Sequence, residues 1–273
     1  MTITLPVFDQ LEDSLWLTLC GRALDNRRED PLLRDELADQ IVRTVDYDYG
    51  KLKISPSSVI YIAHRALKLD EIARDFVTRH PDAIGLDLGA GLDSRATRID
   101  VPPTVDWYDI DFPDVITARQ QLVPARPHVH NHAADLAEPG WLDRIPTDRP
   151  AVIVADGLLA FFPLAEWSAI LNRIIEHFPS GEIAFNGYST FAVKAAKVYP
   201  GAKAVRAIMR SEGFDDPHTP ESWNPKLRLV REILLTREPE VERFPAGLRW
   251  ANRLSARSES LSRRGNVVLH YRF

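Results

Sequence analysis

Residues 83–95 read AIGLDLGAGLDSR: an apolar run rises to Asp87, meets Gly89 and Gly91, and then meets Asp93. Glycines two apart after a strand let a ligand approach the backbone. Asp111 closes WYDID about 20 residues beyond Gly91, the interval at which a carboxylate grips a ribose. The dinucleotide fingerprint needs a third glycine, where a helix packs tightly against a pyrophosphate, and Ser94 stands there instead. That departure favours a nucleoside without phosphates. S-adenosylmethionine is one, with ribose hydroxyls, a sulfonium and an amino-acid tail. A glycine pair alone also fits a plain tight turn; the acid at the right distance favours binding.

Other residues compete for a chemical role. Tyr199 and Lys203 match the Y-x-x-x-K of short-chain dehydrogenases, but Pro200 and Gly201 between them break the helix that pair requires. His128, His130 and His132 alternate along HVHNH and so share one strand face. Residues two apart in a strand stand roughly 6–7 Å apart, so the three do not converge on one ion, and no metal is expected. They are expected to line the adenine side of a pocket or the sheet surface. Cys20 is the only cysteine, which excludes intrachain disulfides and multi-cysteine zinc sites; it reads as a buried filler. Arg249, Arg253 and Arg257 recur every fourth residue and read as a solvated helix face whose other side holds Trp250, Leu254 and Leu261. Trp223, in a proline-broken stretch, is a candidate roof over an aromatic substrate.

The elements that carry these residues fall into two parts. Residues 12–80 read as helices only, with Pro31 at a helix start and a buried stripe of Val59, Ile62, Ala66, Leu69, Ala73 and Phe76. From residue 83, short apolar strands (AIGLDL, VDWYDI, HVHNH, AVIVAD, EIAFNG) alternate with helical stretches, the pattern of a parallel sheet with crossover helices. LRLVREILLT and NVVLHYRF supply two more strands, which makes seven. The expected architecture is α/β and Rossmann-like, mostly parallel, with helices on both faces. Residues 1–80 form an N-terminal helical cap and 81–273 the catalytic core, with a helical insertion at about 189–225. A length of 273 residues and a net charge of −5 suit one such core and exclude a global basic surface for nucleic acid or anionic membrane. MTITLPVFDQLEDS carries no signal-peptide pattern and no apolar run approaches membrane-spanning length, so a cytoplasmic protein is expected.

GLDLGAGLDSRATRI, WYDIDFPDVITARQQL, AADL and PAVIVADGLLAFFP stand in that order, preceded by LWLTLCGRALDNRREDPLLRDELA and HRALKLDE. Together they cover most of residues 14–178, and the chain resembles the leucine carboxyl methyltransferase family. Within it the wording is most similar to bacterial tetracenomycin-type polyketide O-methyltransferases. The resemblance implies a class I S-adenosylmethionine fold, with S-adenosylhomocysteine as product. It implies that Arg65 pairs the methionine carboxylate, Gly89 and Gly91 admit the methionine half, and Asp87 lies near its ammonium. By the same resemblance Asp111 holds the ribose, Asp135 and Leu136 flank the adenine, and Asp156 sits beside the sulfonium. The family usually has Glu at position 156 and Tyr at 161, where this chain has Asp156 and Phe161.

An acceptor carboxylate is ionised at neutral pH and needs no base, whereas a phenol needs one. No base motif is evident, so the acceptor is expected to be the carboxyl, or failing that the hydroxyl, oxygen of a small polyketide-type metabolite. Asn186 and Tyr188, just past the fifth strand, and Arg95, after the glycine turn, are candidates to position it. The alternatives are a protein C-terminal carboxyl methyltransferase, a non-catalytic cofactor-binding scaffold, and, third, an NAD-dependent oxidoreductase.

Overall fold

The computed structural model of the chain describes residues 6, 8, 9, 14–198 and 206–273. Five strands run parallel: β1 (Ile84–Leu88), β2 (Asp106–Asp111), β3 (Val129–Ala133), β4 (Ala151–Ala155) and β5 (Gly181–Gly187). Two more, β6 (Arg228–Leu234) and β7 (Val267–Arg272), pair antiparallel, with β7 lying between β5 and β6. One sheet results, in the order β3-β2-β1-β4-β5-β7-β6. The order reverses at β1, whose neighbours are β2 and β4, and a cleft opens beyond the carboxyl ends of strands at such a point.

Side-chain alternation sends β4 into two cores. Val152 and Val154 face Leu69, Ala73 and Phe76 of α3 (Pro56–Arg79), while Ile153 and Ala155 face Trp167, Ile170 and Ile174 of α6 (Leu164–His177). The predicted stripe of α3 is buried throughout. Ser55 starts that helix by accepting from the Ser58 amide, with Pro56 in the first turn. In front of α3 lie α1 (Leu15–Asn26) and α2 (Glu36–Thr44). Cys20 is buried in α1, and burial pushes its thiol up.

Three sequence expectations need correction. Pro31 does not begin a helix: α2 starts at Glu36, capped by Asp35, whose carboxylate accepts from the Ala38 amide. The Asp25 carboxylate instead takes the amides of Leu32 and Leu33 at 3.2 and 2.9 Å, and Arg34 turns left-handed at φ 60°. The insertion is helical only in part. Between β5 and β6 comes α7 (Thr190–Val198); α4 (Arg95–Arg98) and α5 (Pro113–Leu122) stand earlier in the chain, before α6. Among the described residues beyond α7, 209–218 hold no helix and Thr219–Ser222 make one 3-10 turn. Gly213 is left-handed there, and Asp215 anchors the Thr190 amide at 3.0 Å. Tyr199 and Lys203 lie outside the described residues. Trp223 packs edge-on against Phe214 and takes no part in the cleft.

The arginine-rich stretch forms α8 (Ala246–Ser255) and α9 (Glu259–Arg263). Its apolar side is not a core face: Trp250, Leu254 and Leu261 are exposed, Trp250 by 68 %. α8 attaches through buried Asn252, whose side-chain amide donates to the Tyr61 hydroxyl at 2.9 Å. No helix among the described residues is long and apolar enough to cross a membrane.

Candidate active site

β1 ends at Leu88 and the chain turns through Gly89 (φ 63°) and Gly91 (φ 51°), both in the left-handed region that glycine adopts without strain. A Cβ on Gly89 would stand 2.7 Å from Leu158 Cδ1, so the turn also has no room for a side chain. At the end of β2, Asp111 accepts from the Gly91 amide at 2.7 Å and the Phe112 amide at 2.8 Å. After β4 come Asp156 and left-handed Gly157. These three strand ends ring a cavity of about 210 Å³.

Eight sequence-named cofactor residues, Arg65, Asp87, Gly89, Gly91, Asp111, Asp135, Leu136 and Asp156, all line this one cavity, as does Tyr188. Arg65 reaches it from α3 and is ion-paired with Asp156. Asp135 closes a turn by accepting from the Ala137 amide at 2.9 Å. Asn186 and Arg95 do not line it. Asn186 lies within β5 and not just past it; buried there, it accepts from the Gly157 amide of the turn after β4. Arg95 is 1 % exposed, with Asp70, Asp87 and Asp93 as ion-pair partners, so its guanidinium is committed below the cavity floor rather than presented to an acceptor.

The three histidines also lie elsewhere. His130 stacks on Tyr108 and sits 3.1 Å from Asp106, while His132 reaches the Trp141 carbonyl at 2.8 Å. Among the described residues no group of three His, Cys, Asp or Glu side chains is placed to hold a metal ion.

Sequence reasoning missed the wall supplied by α1. Leu15, Thr18 and Arg22 line the cavity together with Ser14, just before the helix, and Ser14, Thr18 and Arg22 recur at a helical spacing of four. That spacing was a legible signal, but nothing in it showed which face met the sheet. Arg22 pairs with Asp35 at 2.9 Å and lies 3.7 Å from Asp93.

The cavity is acidic, with five lining aspartates against two arginines, both already engaged by carboxylates. Burial pushes the Asp87 carboxyl up to about 7; Arg95 opposes this, and Asp93 and Asp109 reinforce it. Burial also opposes the charge of Asp93, yet Arg22, Arg98 and Arg95 surround it and hold its carboxyl well below the usual range. Among the described residues the cleft is acidic and has no spare cation, which disfavours a polyphosphate and suits a ligand carrying a sulfonium and an ammonium. Carboxylates at the second strand end and in the AADL turn suit ribose hydroxyls and an adenine amine. The residues present therefore fit S-adenosylmethionine.

A sheet of this order with a cleft of this chemistry defines a class I S-adenosylmethionine-dependent methyltransferase. The plantazolicin methyltransferase BpumL, solved with a triazolic desmethylPZN analog and S-adenosylhomocysteine, shares the fold at TM-score 0.51 and 10 % identity, over 96 % of this chain and 98 % of that one. Residues 16–175 match the leucine carboxyl methyltransferase family, and the chain belongs to it. It is 38 % identical to the tetracenomycin polyketide synthesis O-methyltransferase TcmP of Streptomyces glaucescens, over 84 % of each chain. It is 31 % identical to the S-adenosyl-L-methionine-dependent methyltransferase dpfgK of Gibberella zeae, over 64 % of this chain and 65 % of that protein.

Proposed function

We propose that this enzyme methylates an oxygen of a small polyketide-type metabolite, and that the oxygen belongs to a carboxyl group. The observation that carries the reading is the cavity lining: among the described residues it holds no histidine, lysine, cysteine or glutamate, and its five aspartates are either assigned to the cofactor or paired with arginines. A carboxylate acceptor is ionised at neutral pH and needs no base, so such a lining is sufficient for it. The similarity to TcmP, named as a polyketide O-methyltransferase, supports the same substrate class. The similarity to TcmP does not favour the protein C-terminal carboxyl and scaffold alternatives.

Bound in the cleft, S-adenosylmethionine supplies a methyl group made electrophilic by the adjoining sulfonium. Arg65 would take the amino-acid carboxylate, for which its forked guanidinium is suited, in exchange for Asp156. Asp87 would hold the ammonium, Asp111 the ribose hydroxyls, and Asp135 with Leu136 the adenine. Asp156, released from Arg65, would lie beside the sulfonium end. Leu17, Ile62, Leu158, Phe161 and Tyr188 would wall the acceptor side. Those mostly apolar walls exclude water and hold the nucleophile in line, which can supply much of the rate of a displacement that discharges a cation. Residues 1–80 act in this scheme as the cap that brings Thr18, Ile62 and Arg65 over the core formed by 81–273.

The test uses the purified chain, a methyl-labelled donor and a panel of aromatic polyketide acids and phenols. Label transferred into an alkali-labile ester is the expected result. An alkali-stable ether as the sole product would contradict carboxyl methylation.

A further inference from the structure

We propose that Arg119 is a positioning residue for cofactor binding: from α5 it fixes the carbonyl groups of the glycine loop, and thereby the loop surface against which the cofactor rests. The inference rests on the cofactor reading above and extends it to a residue outside the cavity lining.

Arg119 is buried, and every guanidinium nitrogen has a partner. Nη1 donates to the carbonyls of Gly91 and Asp93, both at 2.8 Å, and lies 3.4 Å from that of Ala90. Nη2 donates to Asp109, whose other oxygen accepts from Trp107 Nε1 at 3.0 Å. Nε donates to Asn131 Oδ1 at 3.2 Å. A buried arginine needs one carboxylate to offset its charge, and Asp109 is enough for that. The carbonyl contacts do something further. Ala90, Gly91 and Asp93 all line the cavity, so the guanidinium is spread beneath the loop that receives the ligand.

Asp111, two residues before α5, takes the amide of Gly91 while Arg119 takes its carbonyl. Both polar groups of this left-handed residue are thus held by the β2–α5 unit. Removing the guanidinium leaves buried carbonyls unpaired, and the loop must shift to satisfy them. Asp111 is bonded to that loop and shifts with it, which would degrade the ribose grip. Lysine carries one nitrogen and cannot serve a carboxylate, a side-chain amide and three carbonyls together.

The test is calorimetric titration of the full chain with S-adenosylhomocysteine, for wild type, Arg119→Met and Arg119→Lys. The expected result is unchanged stoichiometry, a dissociation constant at least about 10-fold weaker for Arg119→Met, and partial recovery in Arg119→Lys. A purely structural arginine would lower the melting temperature and the bound fraction but leave the constant of the folded molecules within about 2-fold of wild type, which would overturn the proposal. Should Arg119→Met fail to fold, Asn131→Ala decides, since it frees only Nε. A weakening of about 3-fold supports the proposal, and an unchanged constant overturns it. Absence of binding in the wild type would overturn the cofactor reading and this inference with it.

Discussion

At the scale of single residues, the site is organised by which carboxylates are free to meet a ligand and which are committed to arginines. Asp93 is held ionised by three guanidiniums, whereas Asp87 is buried beside Asp93 and Asp109, with Arg95 as its ion-pair partner, and titrates near 7. Its folded pKa exceeds the unfolded value of about 4, so its contribution to stability is largest below about pH 4 and declines as pH rises to 7. A ligand ammonium placed beside it would favour the ionised form. Affinity for S-adenosylhomocysteine should therefore tighten between pH 5.5 and 7.5, by up to about 20-fold, and level off above. Titrations across that range, with Asp87→Asn as a variant without the dependence, check this; a flat wild-type profile would contradict it. The glycine pair, Asp111 and the Asp156 strand end were legible because each sits at a fixed offset from an apolar run. Arg95 and Asn186 were misjudged because sequence offset does not show depth. Asn186 falls within β5 instead of past its end, and Arg95 has Asp70 of α3 as a partner, a contact formed only in the tertiary structure.

At the scale of elements, β1 is the strand on which every other placement depends. Gly85 within it is overlain by Trp107 of β2, and a Cβ there would stand 2.1 Å from the indole Cε3. Trp107 is fully buried and its nitrogen is bonded to Asp109, so it has no room to yield. Gly85→Ala should destabilise the fold by at least about 1–3 kcal/mol, the range for overpacking, and denaturant unfolding would register it. A midpoint equal to wild type would contradict the packing described. The parallel strands and α3 were legible from apolar runs and one helical stripe. The start of α2 was not, because Asp25 of the preceding helix holds the intervening turn. The exposed face of α8 escaped for a related reason: Trp250 and Leu254 share a stripe, but a hydrogen bond from Asn252 to Tyr61 sets how the helix lies.

For the whole molecule, β1 to β5 and the helices beside them build the floor of the cleft, while α1 and α3 bring Thr18, Ile62 and Arg65 across it. The fold and the residues that ring the cleft at the strand ends were legible because ordered local motifs fix them. On the proposed acceptor side only Tyr188 was legible, since Leu17, Ile62 and Phe161 come from separate elements and meet it only when the chain closes. The account stands on an adenosine derivative without phosphates bound across the ends of β1 and β2, with Asp111 on its sugar. Calorimetric titration of wild type and Asp111→Ala with S-adenosylhomocysteine tests this most directly. One molecule bound per wild-type chain, with affinity at least about 10-fold weaker in the variant, is the predicted result. Equal affinity in the two proteins would contradict it.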